Sequence, residues 1–455
     1  MLRILQPHFP KRLLCLPPLS NPQTICTNAS STTAVALPLP ANSAAYVHLP
    51  FCRKRCHYCD FTIVALGSTT NSDSDPRISN YTKLLLREIH ATEPNSDSDP
   101  LLKTIFFGGG TPSLVPPHLI SDILDSLRSK FGISSDAEIS IEMDPGTFDA
   151  SKLDELLRLG INRVSLGVQA FQEELLRVCG RSHGLSEVEE AIGIMKSADG
   201  LANWSLDLIS SLPNQSLEMW EESLTCAVAA QPNHISVYDL QVEQGTKFGY
   251  LYTPGEFPLP TVNQSADFYK KAAGNLPREG YEHYEISSYC KSGFECKHNQ
   301  TYWQNRPFHA FGLGAASYIN RTRFSRPKRM KEYTNYVENL ENGSVADASS
   351  ASVDLKDLAM DVVMLSLRTA RGLDISSFVG KFGWDLTASL CKAFEPYVES
   401  GHVIGLDVKR KALPRSDFEL GRDSDTQLAF IRLSDPHGFL LSNELIAIAF
   451  RSMSP

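Results

Sequence analysis

The chain has 455 residues and 50.3 kDa, with 42% hydrophobic and 21% charged residues and a formal net charge of -9. At about 100–200 residues per domain that is two or three domains, and the acidic balance argues against nucleic acid as the main partner, because phosphate binding needs a basic footprint. No run approaches the ~18 apolar residues of a membrane span, and ten cysteines are too sparse for a disulfide scaffold.

Taken in chain order, Met1–Ala44 comes first; it is basic, rich in proline and hydroxyl residues, and free of acids up to Asp60. That is the composition of an organelle transit peptide, with a disordered tail as the alternative. Arg3 and Arg12 favour a mitochondrial address over a chloroplast one, which the Thr27–Thr33 run permits. From Ala45 short β-rich runs alternate with amphipathic helices. Strands are expected at Ala45–Leu49, Thr104–Phe107, Glu138–Glu142, Arg163–Val168, Ser205–Ile209 and His234–Tyr238. Helices are expected at Asn80–His90, Pro117–Lys130, Ser151–Leu159, Glu187–Lys196 and Leu217–Ala230, the last with Leu217, Leu224 and Val228 on one face. This order predicts an α/β fold with a parallel sheet, and six units make a partial (β/α)6 barrel. Two NSDSDP hexamers, Asn71–Pro76 and Asn95–Pro100, read as surface loop insertions. Beyond about Asn320, helices at Leu355–Arg368 and Leu386–Ser400, short runs near Val403 and Phe430, and a last helix from Ser442 predict a smaller, mostly helical α+β domain. The expected division is a presequence (1–44), a core (45–285), a connecting segment (286–330) and an accessory domain (331–455).

Cys52, Cys56 and Cys59 stand in a C-x3-C-x2-C loop beside Arg53, Lys54 and Arg55. Three thiols so close, with basic neighbours, suit a soft metal centre. A structural zinc would call for a fourth ligand, and none is evident nearby; an iron–sulfur cubane held by three cysteines leaves one iron open.

The loop and its aromatic Tyr58 resemble those of radical S-adenosylmethionine (SAM) proteins. The later segments Gly108-Gly-Gly-Thr-Pro112, Glu142-Met-Asp-Pro145, Gly167-Val-Gln-Ala-Phe171 and Asp207-Leu-Ile-Ser-Ser-Leu-Pro213 are similar, in order, to one branch of that superfamily. It is the branch of oxygen-independent coproporphyrinogen III dehydrogenase and the haem chaperone HemW. The resemblance runs from about Ala45 to Phe450 and implies a barrel of radical SAM type, a [4Fe–4S] cluster on Cys52, Cys56 and Cys59, and SAM bound by Tyr46, Gly109, Gly110, Thr111, Glu142, Gln169, Arg181 and Asp207. Each motif falls at the C-terminal end of an expected strand, the rim where β/α barrels assemble sites. The glycines of Gly108–Gly110 are expected to let backbone approach a ligand and to present N–H groups.

Two departures separate the relatives. The coproporphyrinogen dehydrogenases resemble C-x3-C-x2-C-x-C, whereas Phe61 stands here in place of the fourth cysteine. His298-Asn-Gln-Thr-Tyr-Trp303 is similar to the H-N-x-x-Y-W signature of HemW, and Met364–Leu373 and Gly438–Asn443 resemble its C-terminal part. The resemblance therefore implies a haem chaperone, with acceptor haemoproteins, an electron donor for the cluster and a homodimer as partners, rather than a decarboxylase. His298 and Cys296 are the candidate haem ligands, against a histidine held in a structural turn. Tyr302 and Trp303 are candidates to stack on a porphyrin or to belong to the core, and His48 is expected to support the cluster loop. The basic run Arg321, Arg323, Arg326, Lys328, Arg329 and Lys331 reads first as a solvated surface and second as a propionate site. Lys409-Arg-Lys411 carries the least favoured reading, a basic wing for nucleic acid. Cys179, Cys226, Cys290 and Cys391 read as small buried hydrophobes.

Overall fold

A computed structural model describes residues 43–67, 74–94, 101–344, 354–418 and 428–453. The expected presequence up to residue 42, the second hexamer and the first three residues of the first hexamer lie outside the described residues. Strand β1 (Ala44–Leu49) is followed by a short parallel pair, β2 (Phe51–Cys52) and β3 (Val64–Ala65). The sheet continues with β4 (Leu102–Gly109), β5 (Ile133–Met143), β6 (Arg163–Gln169), β7 (Trp204–Ser210), β8 (His234–Asp239), β9 (Glu282–Glu285), β10 (Ser288–Cys290) and β11 (His309–Phe311). Its nine strands run in the order β11-β1-β4-β5-β6-β7-β8-β10-β9. Every pairing from β11 to β8 is parallel, and β10 and β9 add an antiparallel hairpin at one edge.

The six expected strands are the six central ones, and their side chains alternate with period two. Ala45, Val47 and Leu49, Ile105 and Phe107, Ile139 and Ile141, Val164 and Leu166, Leu206 and Leu208, and Ile235 and Val237 all join one apolar core with the surrounding helices. The other parity is polar: Tyr46 and His48, Thr104, Glu138 and Glu142, Arg163 and Ser165, Ser205 and Asp207, His234 and Ser236. A parallel sheet covered on both faces is normally apolar throughout, so this polar parity marks the inner wall of the barrel as the place for chemistry.

Local signals start and stop the helices. Asp75, from the first hexamer, caps Pro76–Ala91, and Ser216 caps Leu217–Ala229. On the latter the buried stripe is Trp220, Leu224 and Ala227, spaced i, i+4, i+7, while Leu217 is exposed. Of the three residues expected on the apolar face, Leu224 is buried, Val228 packs partly buried on the core, and only Leu217, at the first turn, faces solvent.

The chain leaves the barrel through the hairpin β12 (Ala316–Ile319) and β13 (Thr322–Ser325). Helices Leu355–Leu367, Trp384–Glu399 and Ser442–Met453 then pack with an antiparallel sheet of β14 (Leu373–Asp374), β16 (Phe430–Leu433) and β15 (Val403–Leu406), in that order. Residues 40–455 form one compact unit. The C-terminal layer is stitched to the hairpin edge: Ile286 N–H donates to Arg368 O at 2.9 Å and Ala370 N–H to Tyr284 O at 2.9 Å. Arg368 Nη2 also donates to Asn443 Oδ1 at 2.8 Å, which joins the two C-terminal motifs singled out in the sequence. Among the described residues no helix is long and apolar enough to cross a membrane.

Candidate functional site

The cysteine loop is pinned at both ends. The pairing of Phe51 with Val64 and of Cys52 with Ala65 closes its neck, and Cys59 N–H donates to Cys56 O at 3.2 Å to fold its tip. Arg55 Nη1 gathers the Cys59 and Phe61 carbonyls at 3.1 and 2.9 Å. His57 Nδ1 donates to Val178 O at 2.7 Å, and its Nε2 accepts from Lys247 Nζ at 3.1 Å. The neighbouring Gly180, at φ +68°, must be a glycine, because a Cβ there would stand 2.6 Å from the His57 ring.

All three cysteines are half-buried and free. Thr111 Oγ1 donates to Cys52 Sγ at 3.6 Å, and Arg181 Nη1 donates to Cys56 Sγ at 3.4 Å. Burial pushes the Cys52 thiol up to about 12, opposed by the Thr111 bond and reinforced by Cys59 and Cys56. Burial raises Cys59 as well. Buried thiols of this kind, Cys52 and Cys59, are donors that a cationic centre converts to thiolates. Among the described residues no group of three or more His, Cys, Asp or Glu side chains closes around a single metal ion. The three loop cysteines are no exception to that; it is their residue type, three thiols on one loop, that suits iron–sulfur chemistry. Cys179 is the small buried hydrophobe the sequence suggested, in an apolar cluster with Leu175, Leu176 and Phe248; its carbonyl also accepts from His57 N–H at 2.8 Å, and its thiol lies in the field of Cys56 and Arg181.

Of the SAM candidates, Thr111 and Arg181 touch the loop's cysteines, and the others lie on or just after β1, β4, β5, β6 and β7. Glu142, at the end of β5, accepts from Gly109 N–H at 3.1 Å. Burial pushes its carboxyl up to about 7, with Asp207 adding to the shift. Asp207 on β7 accepts from Ser165 Oγ at 2.9 Å. Burial raises its pKa against the Ser236 and Ser165 bonds, and among the described residues its buried Oδ1 has no hydrogen-bond partner. Tyr46 lies against Phe106, and its hydroxyl is spent on His48 Nδ1 at 3.2 Å. Gln169 closes β6 at φ +74°, in the left-handed region that a non-glycine residue adopts only when its surroundings hold it there. Arg181 is a hub: Nη2 pairs with Asp144 and donates to Gly167 O at 2.9 Å, while Nη1 reaches Tyr58 Oη at 3.0 Å as well as Cys56.

The glycine motif departs from expectation. Gly110 N–H donates to Leu49 O at 2.9 Å and Thr111 N–H to Phe51 O at 2.6 Å. With Gly109 N–H on Glu142, these donors are used internally and are not presented to a ligand. The glycines serve close approach instead, since a Cβ on Gly109 would lie 2.5 Å from the His48 ring and one on Gly110 2.7 Å from the Pro50 carbonyl carbon.

His298 and Cys296 do not join the rim. The helix Lys297–Trp303 lies against the same inner wall nearer the strands' N-terminal ends, where Glu138 Oε1, four residues before Glu142 on β5, accepts from His298 N–H at 3.2 Å. Both His298 ring nitrogens are engaged, Nδ1 with Thr104 Oγ1 at 2.8 Å and Nε2 with Tyr302 Oη at 2.7 Å. The ring stacks on Phe106, and burial lowers its pKa to about 3. Cys296 is 1% exposed, with its thiol pushed up to about 12 by burial. Tyr302 and Trp303 are buried too. In this structure, then, both ring nitrogens of His298 are hydrogen-bonded within the fold and Cys296 is buried. The basic run divides in the same way: Arg326 is buried against Glu88, Arg323 pairs with Asp361, and Arg329 pairs with Glu332. Arg410 lies over the Phe430 ring at 4.0 Å, which holds it against the C-terminal sheet.

A parallel barrel with three rim cysteines beside a buried Glu–Asp–Arg set defines the radical SAM class, and the sequence pattern described as the Radical SAM superfamily matches residues 46–227. The coproporphyrinogen III oxidase HemN of Escherichia coli has a similar fold, with TM-score 0.71 and 22% identity over 91% of each chain. The heme chaperone HemW of Synechocystis is 37% identical over 414 residues, 90% of this chain and 97% of its own. That of Bacillus subtilis is 33% identical over 359 residues, 79% of this chain and 92% of its own. The chain belongs to the HemW family.

Proposed function

We propose that the protein is a haem chaperone that binds a [4Fe–4S] cluster, SAM and haem, and hands haem to acceptor haemoproteins. The observation that carries the reading is the cysteine loop: three sulfurs on one pinned excursion, Phe61 where a fourth would stand, in a chain 37% identical to a HemW. Cys52, Cys56 and Cys59 hold the cluster. When bound, cluster and SAM together supply one-electron chemistry at a sulfonium, and that chemistry belongs to the cofactors.

The protein's share is orientation. Thr111 and Arg181 donate to two of the sulfurs, Cys52 and Cys56, and so fix where they point. Arg181 also ties Cys56 to the Asp144 end of the Glu142 motif, so loop and barrel rim move together. Glu142 and Asp207 are acceptors for the amino and hydroxyl groups of SAM; the unpartnered Oδ1 of Asp207 is the open position. Residues 1–44 act as an organelle presequence, mitochondrial before chloroplast, which a fluorescent fusion of that segment tests.

The test is haem transfer. The reconstituted protein is loaded with haem under anaerobic conditions and mixed with an apo-haemoprotein; separately it is given coproporphyrinogen III, SAM and a reductant. Haem uptake and delivery without tetrapyrrole turnover supports the reading. Formation of protoporphyrinogen IX overturns it in favour of the dehydrogenase.

A further inference from the structure

The cysteine loop rejoins the sheet just after Thr62, and a buried hydrogen-bond chain ties that point to a segment much later in the sequence. His48 Nε2 donates to Thr62 O at 2.9 Å, and its Nδ1 is hydrogen-bonded to Tyr46 Oη at 3.2 Å. The His48 carbonyl accepts from Tyr81 Oη at 2.7 Å, and Tyr81 Oη accepts from Leu313 N–H at 3.0 Å. Two turns along the same helix, the fully buried Glu88 accepts from Arg326 Nε at 2.7 Å, Tyr333 Oη at 2.5 Å and Gly312 N–H at 2.8 Å. Arg326 is itself 2% exposed in its side chain and donates Nη1 to Ser317 Oγ at 2.6 Å.

The turn after β11 is therefore clamped from one side by Glu88 and from the other by Tyr81. Its glycines record how tightly it is pressed. A Cβ on Gly312, at φ +103°, would meet the Tyr81 hydroxyl at 2.5 Å and the His48 carbonyl at 2.7 Å, and a Cβ on Gly314 would meet Thr62 Oγ1 at 2.9 Å. A buried ion pair is a poor source of stability compared with apolar packing of the same shape, but losing one partner strands the other. Its value lies in fixing one geometry.

We infer that Glu88, Arg326 and Tyr81 are positioning residues for the cysteine loop. The ion pair holds the 311–314 turn, the turn and Tyr81 hold His48, and His48 holds Thr62. The inference rests on the reading that this loop carries a cluster. It adds that the cluster's seat is set by the connecting segment, not by the rim alone.

The test uses the full chain with Glu88→Gln and Tyr81→Phe, and with Arg87→Gln as control, since Arg87 makes an exposed pair with Glu341 on the same helix. In the cluster-free protein, alkylation of Cys52, Cys56 and Cys59 by iodoacetamide is read peptide by peptide, with Cys391 in the C-terminal layer as internal reference. Both variants are expected to accelerate loop alkylation about fivefold, the ratio equivalent to one buried hydrogen bond of about 1 kcal/mol, and to leave Cys391 and the Arg87→Gln protein at wild-type rates. After reconstitution, the electron paramagnetic resonance spectrum and midpoint potential of the reduced cluster are expected to shift in the two variants. Lowered melting temperature with wild-type alkylation and spectrum overturns the inference and leaves a structural role only. Tyr81→Phe keeps the ring and decides alone where Glu88→Gln fails to fold. A wild-type protein that takes up no cluster refutes the functional reading, while the cluster-free alkylation still decides the positioning one.

Discussion

Replacing Arg181 with Met is the sharpest perturbation of the rim. It removes the guanidinium that pairs with Asp144, caps Gly167 O and donates to Tyr58 and Cys56, while keeping most of the side chain's volume. The side chains of Arg181 and Asp144 are only 9% and 14% exposed, so the surviving carboxylate is a largely buried charge. Stranding one partner of a buried pair costs about 3–5 kcal/mol. His183 at 3.5 Å and Ser182 at 3.3 Å remain beside Asp144, which brings the expected loss to about 2–4 kcal/mol. The pH dependence follows from the same pair. Asp144 is held below the usual carboxylate range: burial raises it, but Arg181 and then His183 and Ser182 outweigh that. A depressed carboxylate stabilises the fold above its unfolded value of about 3.9, and that contribution disappears as pH falls through the folded value. The gap between wild type and Arg181→Met in urea unfolding of the cluster-free protein should therefore be full at pH 7 and shrink below about pH 4. Arg181→Met/Asp144→Asn should recover much of the loss at pH 7. A gap below about 0.5 kcal/mol at pH 7, or one equal at both pH values, refutes the hub assignment.

Four further outcomes follow from particular contacts. Gly180→Ala should reduce iron retained after reconstitution, because φ +68° and the His57 ring both oppose a Cβ; wild-type iron content would contradict the loop geometry. His298→Ala should lower stability by about 2–4 kcal/mol, by leaving Thr104 and Tyr302 without their ring partners and opening a cavity. Its haem spectrum should stay that of the wild type, and loss of the axial-ligand bands would restore His298 as a ligand. Burial holds His48 at about 4 and His298 at about 3. The unfolded chain, with histidines near 6.5, then binds more protons below that pH, so stability should fall steadily from about pH 6.5 towards pH 4. A flat profile there in denaturant titrations would contradict the buried neutral rings. Cys56→Ser should lose the cluster's visible absorption, with a full iron complement counting against the ligand assignment.

Much of this was legible because it is local. Short β-rich runs showed the six central strands and amphipathic stretches the helices between them, although the first helix begins at Pro76, capped by Asp75, and not at Asn80. The cysteine loop and Phe61 lie within ten residues of one another in the sequence. What stayed hidden depends on partners distant in the chain. Strand β11 has three residues and β9 reads Glu-His-Tyr-Glu, too short and too polar to announce a sheet edge. His298 looked free until Thr104, 194 positions away, took its Nδ1. Arg326 looked like part of a solvated run, and its burial follows only from Glu88, 238 positions away. Nothing in the Gly-Gly-Gly run foretold that the N–H groups of Gly109 and Gly110 would be used by Glu142 and Leu49, or that of the following Thr111 by Phe51.

The account turns on three cysteines that leave one iron of a cubane open beside the Glu142–Asp207 rim. Mössbauer spectroscopy of the anaerobically reconstituted protein, with and without SAM, measures that directly. One iron site of a [4Fe–4S] cluster should change its parameters on adding SAM, and Asp207→Ala should weaken that change. A cluster whose irons all ignore SAM, or a protein that takes up zinc and no iron, would contradict it.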